Sequence, residues 1–237
     1  MRELKEINYT EQKFITDFCR LCQYKNIVEI GISHGNTTIM LCEIAKEIGG
    51  KVFGYDYFEP INAYVKHHHG VYSYDKVYNY IKSFGYDDDL FKLTKVDTQN
   101  EEFSKILKED TKGIIDFAFI DGCHSYEGVK NDFKTIYPLL SEDGSIVLHD
   151  TYSHTGCRKF VLDLYQELND GTYDILTLPF GGGTNRWGFT IITKRYYPLY
   201  NSGITINDHE TLTQSNLMPE DVYTEEKKWY QSQLKNN

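Results

Sequence analysis

No apolar run in this sequence is long enough to cross a bilayer. The longest stretches, such as Gly113–Ile120 (GIIDFAFI, itself broken by Asp116), fall far short of the roughly 20 residues a spanning helix needs, so no membrane role is expected. The first residues, MRELKEINYTEQK, are polar and charged and cannot serve as the apolar core of a secretory signal. Cysteine is scarce and odd in number: Cys19, Cys22, Cys42, Cys123 and Cys157 are too scattered for a disulfide framework. Cys19 and Cys22 form a CxxC with no second pair, which excludes the usual zinc spacing and leaves two half-buried helix residues. Basic residues are outnumbered, 25 Lys and Arg against 35 Asp and Glu, giving a net charge of -10. With no Lys/Arg cluster to track phosphates, nucleic acid is excluded as an expected partner. GxSxG and P-loop motifs are absent as well, so hydrolase and kinase readings lack their signatures. The expected location is cytoplasmic.

What is present is a regular alternation. Seven short β-rich runs, KNIVEI, KVFGYD, FKLTKVD, IIDFAFID, SIVLHD, DILTLPF and WGFTIIT, are mostly separated by helical segments such as TTIMLCEIAKEIGG and YEGVKNDFKTIYPLL. Buried strands alternating with helices predict a doubly wound, Rossmann-like α/β domain. Its seven-stranded sheet is expected to be mostly parallel, with helices on both faces. Ligands belong at the C-terminal ends of such strands. The domain is expected over residues 1–195, with an aromatic insert or lid at about 57–75. Residues 196–237 form a C-terminal extension expected to end in a helix. Tyrosines gather in the insert region and the extension, where aromatic faces suit sugars and phenols alike. His67, His68 and His69 read as a polar loop, because adjacent residues rarely converge on one ion. Gly181, Gly182 and Gly183 fit either a flexible lid or a hairpin connector.

The first candidate site follows strand one, in VEIGISHG. Gly31 falls at the turn out of the strand and Gly35 near the start of the helix, where a missing Cβ lets backbone approach a ligand. Between them Ser33 and His34 present backbone N–H groups at a helix N-terminus. Strand two ends in Asp56, a carboxylate placed to take a ribose diol. A dinucleotide fold would carry GxGxxG here, whereas this chain has GxxxG preceded by Glu29, an acid that would repel a pyrophosphate. An acid suits an ammonium or a sulfonium. VEIGISHGNTTIML followed by VFGYD resembles motif I and the acidic end of strand two in class I S-adenosylmethionine-dependent methyltransferases. The resemblance implies Gly31 and Gly35 against the methionine and ribose, Glu29 near the ammonium and Asp56 on the ribose hydroxyls. It also implies Asp97, in KVD, near adenine, and a last strand that runs antiparallel.

The second candidate site spans FAFIDGCHSYEGVKNDF and LLSEDGSIVLHD. Asp121 ends strand four and Asp150 strand five, so both carboxylates should emerge at the ligand edge and need a cation or proton between them. His124 could face the same cleft, and Asp121 borders the cofactor side as well. The run resembles a subgroup of small O-methyltransferases with the pattern D-x-x-H-S-Y, a helix, then G-G-x-I-V-x-H-D, over residues 24–194. The resemblance implies S-adenosylmethionine, a small hydroxyl acceptor (sugar or phenol) and often a divalent metal, magnesium or manganese. It makes Asp121 and Asp150 the metal ligands and His124 the general base. Departures and alternatives stand beside it. Asp143 replaces a turn glycine. His149 and Thr151 flank Asp150 where relatives often offer a third oxygen, and magnesium prefers oxygen ligands. Asp121 and Asp150 could instead cap the helices that follow, and His149 is expected to face the core. An NAD-dependent oxidoreductase, sharing the coarse fold, and an inactive methyltransferase-like binding module remain the alternative functions.

Overall fold

The computed structural model describes residues 9–59, 72–166, 168, 172–179 and 187–195. The inner strands are mainly apolar because each is covered on both faces, with charged exceptions such as Glu29, Asp116 and the exposed Glu142 and Asp143. In β1 (Asn26–Ile30), β4 (Ile115–Ile120) and β5 (Leu140–His149) successive side chains enter opposite cores. Ile27, Phe117, Phe119 and Val147 pack with α1 (Tyr9–Cys22), α2 (Asn36–Ile48) and α3 (Tyr74–Lys82). Val28, Ala118, Ile146 and Leu148 pack with α4 (Glu102–Asp110), α5 (Tyr126–Ile136) and α6 (Thr155–Gln166).

With β2 (Lys51–Asp56), β3 (Phe91–Lys95), β6 (Tyr173–Leu178) and β7 (Phe189–Lys194), the sheet has seven strands in the order β3-β2-β1-β4-β5-β7-β6. β1 to β5 pair in parallel, and β7 runs antiparallel to both β5 and β6. Strand order reverses between β1 and β4, and there the crevice for a ligand opens. All seven expected strands are present. The strand written as SIVLHD starts earlier, at Leu140, and its partner register shifts between Ile115 and Phe117. Asp143 has a φ of 65°, a left-handed conformation that suits the turn glycine of the resembled pattern and that aspartate tolerates.

The insert expected at 57–75 is not wholly a lid. Phe58 is 1% exposed and sits edge-on to Tyr74, the first residue of α3. The remainder of that insert (60–71, with His67, His68 and His69), Gly181, Gly182 and Gly183, and the extension 196–237 with its expected terminal helix lie outside the described residues. Among the described residues no helix is long and apolar enough to cross a membrane. All five cysteines are free, with Cys19 buried and Cys22 exposed on the two faces of α1.

Candidate active site

The first half of the site is a backbone crossing. The Asp121 N–H donates to Ile30 O at 2.8 Å and the Gly31 N–H to Tyr55 O at 3.0 Å, stitching the turn after β1 to both neighbouring strands. Gly31 has a φ of +85°, and a Cβ there would lie 2.1 Å from the Asp121 carbonyl oxygen. No side chain fits. Gly35, also at +85°, faces α3, where a Cβ would meet Val77 at 3.0 Å. The glycines of GISHG are therefore required by the fold itself, whatever binds beside them.

The acids around this turn are held by their own surroundings. Asp56 Oδ2 accepts from the Ile32 N–H at 2.7 Å and the Ser33 N–H at 3.0 Å, while Oδ1 accepts from the Phe58 N–H at 2.6 Å. Of the roughly four acceptor positions of a carboxylate, three are taken. Glu29 is wholly buried and its Oε2 accepts from Thr38 Oγ1 at 2.6 Å, which braces β1 against α2. Asp97 lies two residues past β3, half-buried, and accepts from the Gln99 N–H at 3.0 Å. Beside it is a residue the sequence reading missed. Asp132 of α5 is 0% exposed, and its Oδ1 accepts from Gln99 Nε2 at 3.0 Å. Burial pushes its carboxyl up to about 7.

The second half is an ionic cluster at the C-terminal ends of β4 and β5. His124 Nε2 lies 3.2 Å from Asp121 Oδ1 and 3.4 Å from Asp150 Oδ2. His149 Nδ1 lies 3.3 Å from Asp121 Oδ1 and 3.6 Å from Asp150 Oδ1. His154 Nδ1 lies 3.2 Å from Asp150 Oδ2. α1 contributes the fully buried Glu11, whose Oε2 is 3.6 Å from His149 Nε2. Asp150 has a φ of 58°, the left-handed region that aspartate, like Asp143, adopts more readily than most residues. Gly156, at the start of α6, makes the grouping compact: a Cβ would lie 2.2 Å from His124 O. Its absence lets α6 close on the loop and brings the His124 and His154 rings to 4.1 Å between centroids.

Burial and charge oppose each other throughout the cluster. Burial works to raise the Asp121 carboxyl, but the charge of His149 and the His124 hydrogen bond outweigh it and hold the group well below the usual carboxylate range. Burial works to lower His124 and His149. In His124 the Asp121 hydrogen bond and the charges of Asp121 and Asp150 win and raise it. In His149 the same two acids and Glu11 raise it well above its ordinary value. His154 goes the other way, lowered by burial and by the like charge of His124.

Asp121 and Asp150 thus converge with His124, as the sequence suggested. Neither takes the expected alternative role of a helix cap. Ser125 caps α5, its Oγ accepting from the Gly128 N–H at 3.0 Å. The Asp150 carboxylate accepts from the Ser153 hydroxyl at 2.9 Å instead of from the first N–H groups of α6. The expectation for His149 needs correcting in part: it is buried at 5% exposure, but its ring points into the cluster. His154 and Glu11 were missed. The D-x-x-x-H spacing of Asp150 and His154, one helical turn, is a signal that could have found the first. Nothing local in the sequence ties Glu11 to residues more than a hundred positions away.

Residues 28–151, 124 of 237, match a family described as a methyltransferase domain. No curated protein matches the chain. Among solved structures, the O-methyltransferase TomG from Streptomyces achromogenes, in complex with SAM, is 15% identical with a TM-score of 0.61. The match covers 80% of this chain and 81% of that one. An O-methyltransferase from Bacillus cereus, in complex with SAH, is 17% identical with a TM-score of 0.62, covering 80% and 83%. An rRNA methylase from Streptococcus thermophilus is 14% identical with a TM-score of 0.55, covering 82% and 100%. At these identities the likeness is one of fold.

Proposed function

The chain belongs to the methyltransferase-domain family, and from that premise we propose that it transfers the sulfonium methyl of S-adenosylmethionine to an oxygen of a small hydroxylated acceptor, a sugar or a phenol. The observation that carries the reading is the shared crossing of the two half-sites, with Gly31 packed directly on Asp121. A donor lying on the turn 31–35 would bring its methyl beside the cluster of Asp121, His124 and Asp150. The fold alone does not choose the acceptor, since an rRNA methylase shares it. A net charge of -10 speaks against a nucleic-acid acceptor.

In this reading the turn 31–35, Asp56 and Asp97 hold the methyl donor. Asp56 has one acceptor position left for a ribose hydroxyl. Glu29 acts chiefly as a brace under the turn, its Oε2 held by Thr38. The acceptor oxygen attacks the methyl carbon in line at about 3–3.5 Å, the C–S bond breaks, and a neutral thioether leaves. His124 takes the hydroxyl proton, and Asp121 and Asp150, 3.2 and 3.4 Å away, stabilise the imidazolium that results. The carboxylates of Asp121 and Asp150 would also hold a divalent cation, which there would lower the pKa of an acceptor hydroxyl. The oxidoreductase alternative lacks its glycine pattern, and a binding module would have no need of the intact cluster.

The test is an acceptor panel of sugars and phenols incubated with S-adenosylmethionine and read by mass spectrometry. The proposal expects one acceptor class to gain a CH2 with equimolar S-adenosylhomocysteine. Methylation confined to nitrogen or carbon acceptors would overturn the oxygen assignment.

A further inference from the structure

The cluster holds more buried nitrogen than a two-carboxylate site needs. Asp121, His149 and Asp150 each offer one ligand atom, and these atoms lie within 4.8 Å of one another. His149 is 5% exposed, and neither ring nitrogen makes a hydrogen bond, its contacts with the three acids lacking hydrogen-bond geometry. A buried imidazole left so is costly unless another partner completes it. Its two nitrogens face different groups. Nδ1 is turned to the Asp121 and Asp150 carboxylates, and Nε2 to Glu11 on α1. A carboxylate behind one nitrogen and open donors before the other is the arrangement that orients a metal-bound histidine.

We propose that Asp121, His149 and Asp150 form a nitrogen-containing metal site that selects a borderline divalent transition ion over magnesium, with Glu11 as the positioning residue for His149. The inference rests on the methyltransferase reading for its purpose and on the cluster geometry for its substance. Magnesium demands oxygen ligands and near-octahedral order, whereas imidazole suits manganese, iron, cobalt or zinc. A second group, His124, Asp150 and His154, also brings its atoms within 4.8 Å of one another. It is the less buried of the two, with the His124 and His154 side chains 34% and 40% exposed against 4% for His149. Binding at the inner group leaves His124 able to take a proton, so one cluster serves both roles without conflict.

The probe is Co(II), titrated into the full-length, metal-stripped chain and followed by its visible absorption and by the shifted histidine N–H signals in proton NMR. The proposal expects one bound ion with a nitrogen-ligand spectrum that about 100-fold excess magnesium does not displace. His149→Asn should remove the histidine signal and let magnesium compete. Glu11→Gln should weaken Co(II) by about 10- to 100-fold without abolishing binding. Binding of S-adenosylhomocysteine, measured on each variant by calorimetry, reports whether the domain is folded. If that binding fails in the wild type while Co(II) binds as expected, the methyltransferase reading falls and this one stands. If a folded protein binds no Co(II), yields it to equimolar magnesium or keeps the same spectrum in His149→Asn, the proposal is overturned. His149 is then an imidazolium balancing Glu11, Asp121 and Asp150.

Discussion

The turn at 29–35 and the cluster at 121–154 touch each other, yet they are built on opposite principles. Around the turn the acids are pinned by hydrogen bonds: Asp56 by three backbone N–H groups and Glu29, through Oε2, by Thr38. In the cluster three acids and three histidines crowd together with few hydrogen bonds, and Asp150 adds a left-handed backbone. A turn pinned in this way makes a rigid shelf, suited to holding a constant part of a reaction. A cluster of crowded charges carries a cost that folding alone does not justify, which is why we propose it as the place where protons or cations are handled.

Substitutions can break this division in order of severity. Gly31→Val should be the most damaging, because its Cβ meets backbone 2.1 Å away at a positive φ. A loss on the order of 3 kcal/mol is expected in a urea melt, with ligand binding lost alongside. It would therefore report on the crossing itself and not on a ligand contact alone. His124→Ala should act on the other side only, lowering kcat by about 100- to 10,000-fold. Its affinity for S-adenosylhomocysteine should stay unchanged. A variant within a few-fold of wild type would remove His124 from the chemistry, leaving His149 as the next candidate. Asp56→Ala should weaken S-adenosylhomocysteine about 10- to 100-fold, by loosening the three N–H groups it gathers. A kcat effect larger than the binding effect would contradict the separation of the two regions.

The mildest change in turnover is expected for Asp132→Asn, which keeps the shape and the acceptor oxygen for Gln99. Its signature lies in stability. The Asp132 carboxyl rises from the ordinary 3.8 to about 7 in the folded chain, so the folded state keeps a proton that the unfolded chain releases over that window. Stability from this group therefore declines as pH rises from about 4 to 7 and is lowest above it. The asparagine variant should lose that decline, and thermal melts across the range would show it. A slope identical to wild type would mean that Asp132 is ionised throughout.

The fold was legible because buried parallel strands carry their own signature. KNIVEI and IIDFAF could hardly be anything else between helices, and the antiparallel last strand followed from the family resemblance. α3 was hidden because Tyr74–Lys82 follows directly on the aromatic insert, so its helical period began inside a segment read as irregular. At the site, Asp121, His124 and Asp150 announced themselves by standing at strand ends or one turn beyond. His149 did not, because strand alternation says only which face a residue takes. That its face is the one closed by Glu11 depends on where α1 docks, which is a long-range matter. Asp132 sits mid-helix among charged neighbours, and only packing reveals that it is wholly buried.

The most direct test of the central claim is a calorimetric titration of the intact chain with S-adenosylhomocysteine and, separately, with NAD. The turn VEIGISHG with Asp56 predicts one S-adenosylhomocysteine bound per chain, equally well in wild type and in His124→Ala, and no heat from NAD. Binding of NAD without S-adenosylhomocysteine would contradict the account, because the crossing at Gly31 and Asp121 would then be serving a dinucleotide.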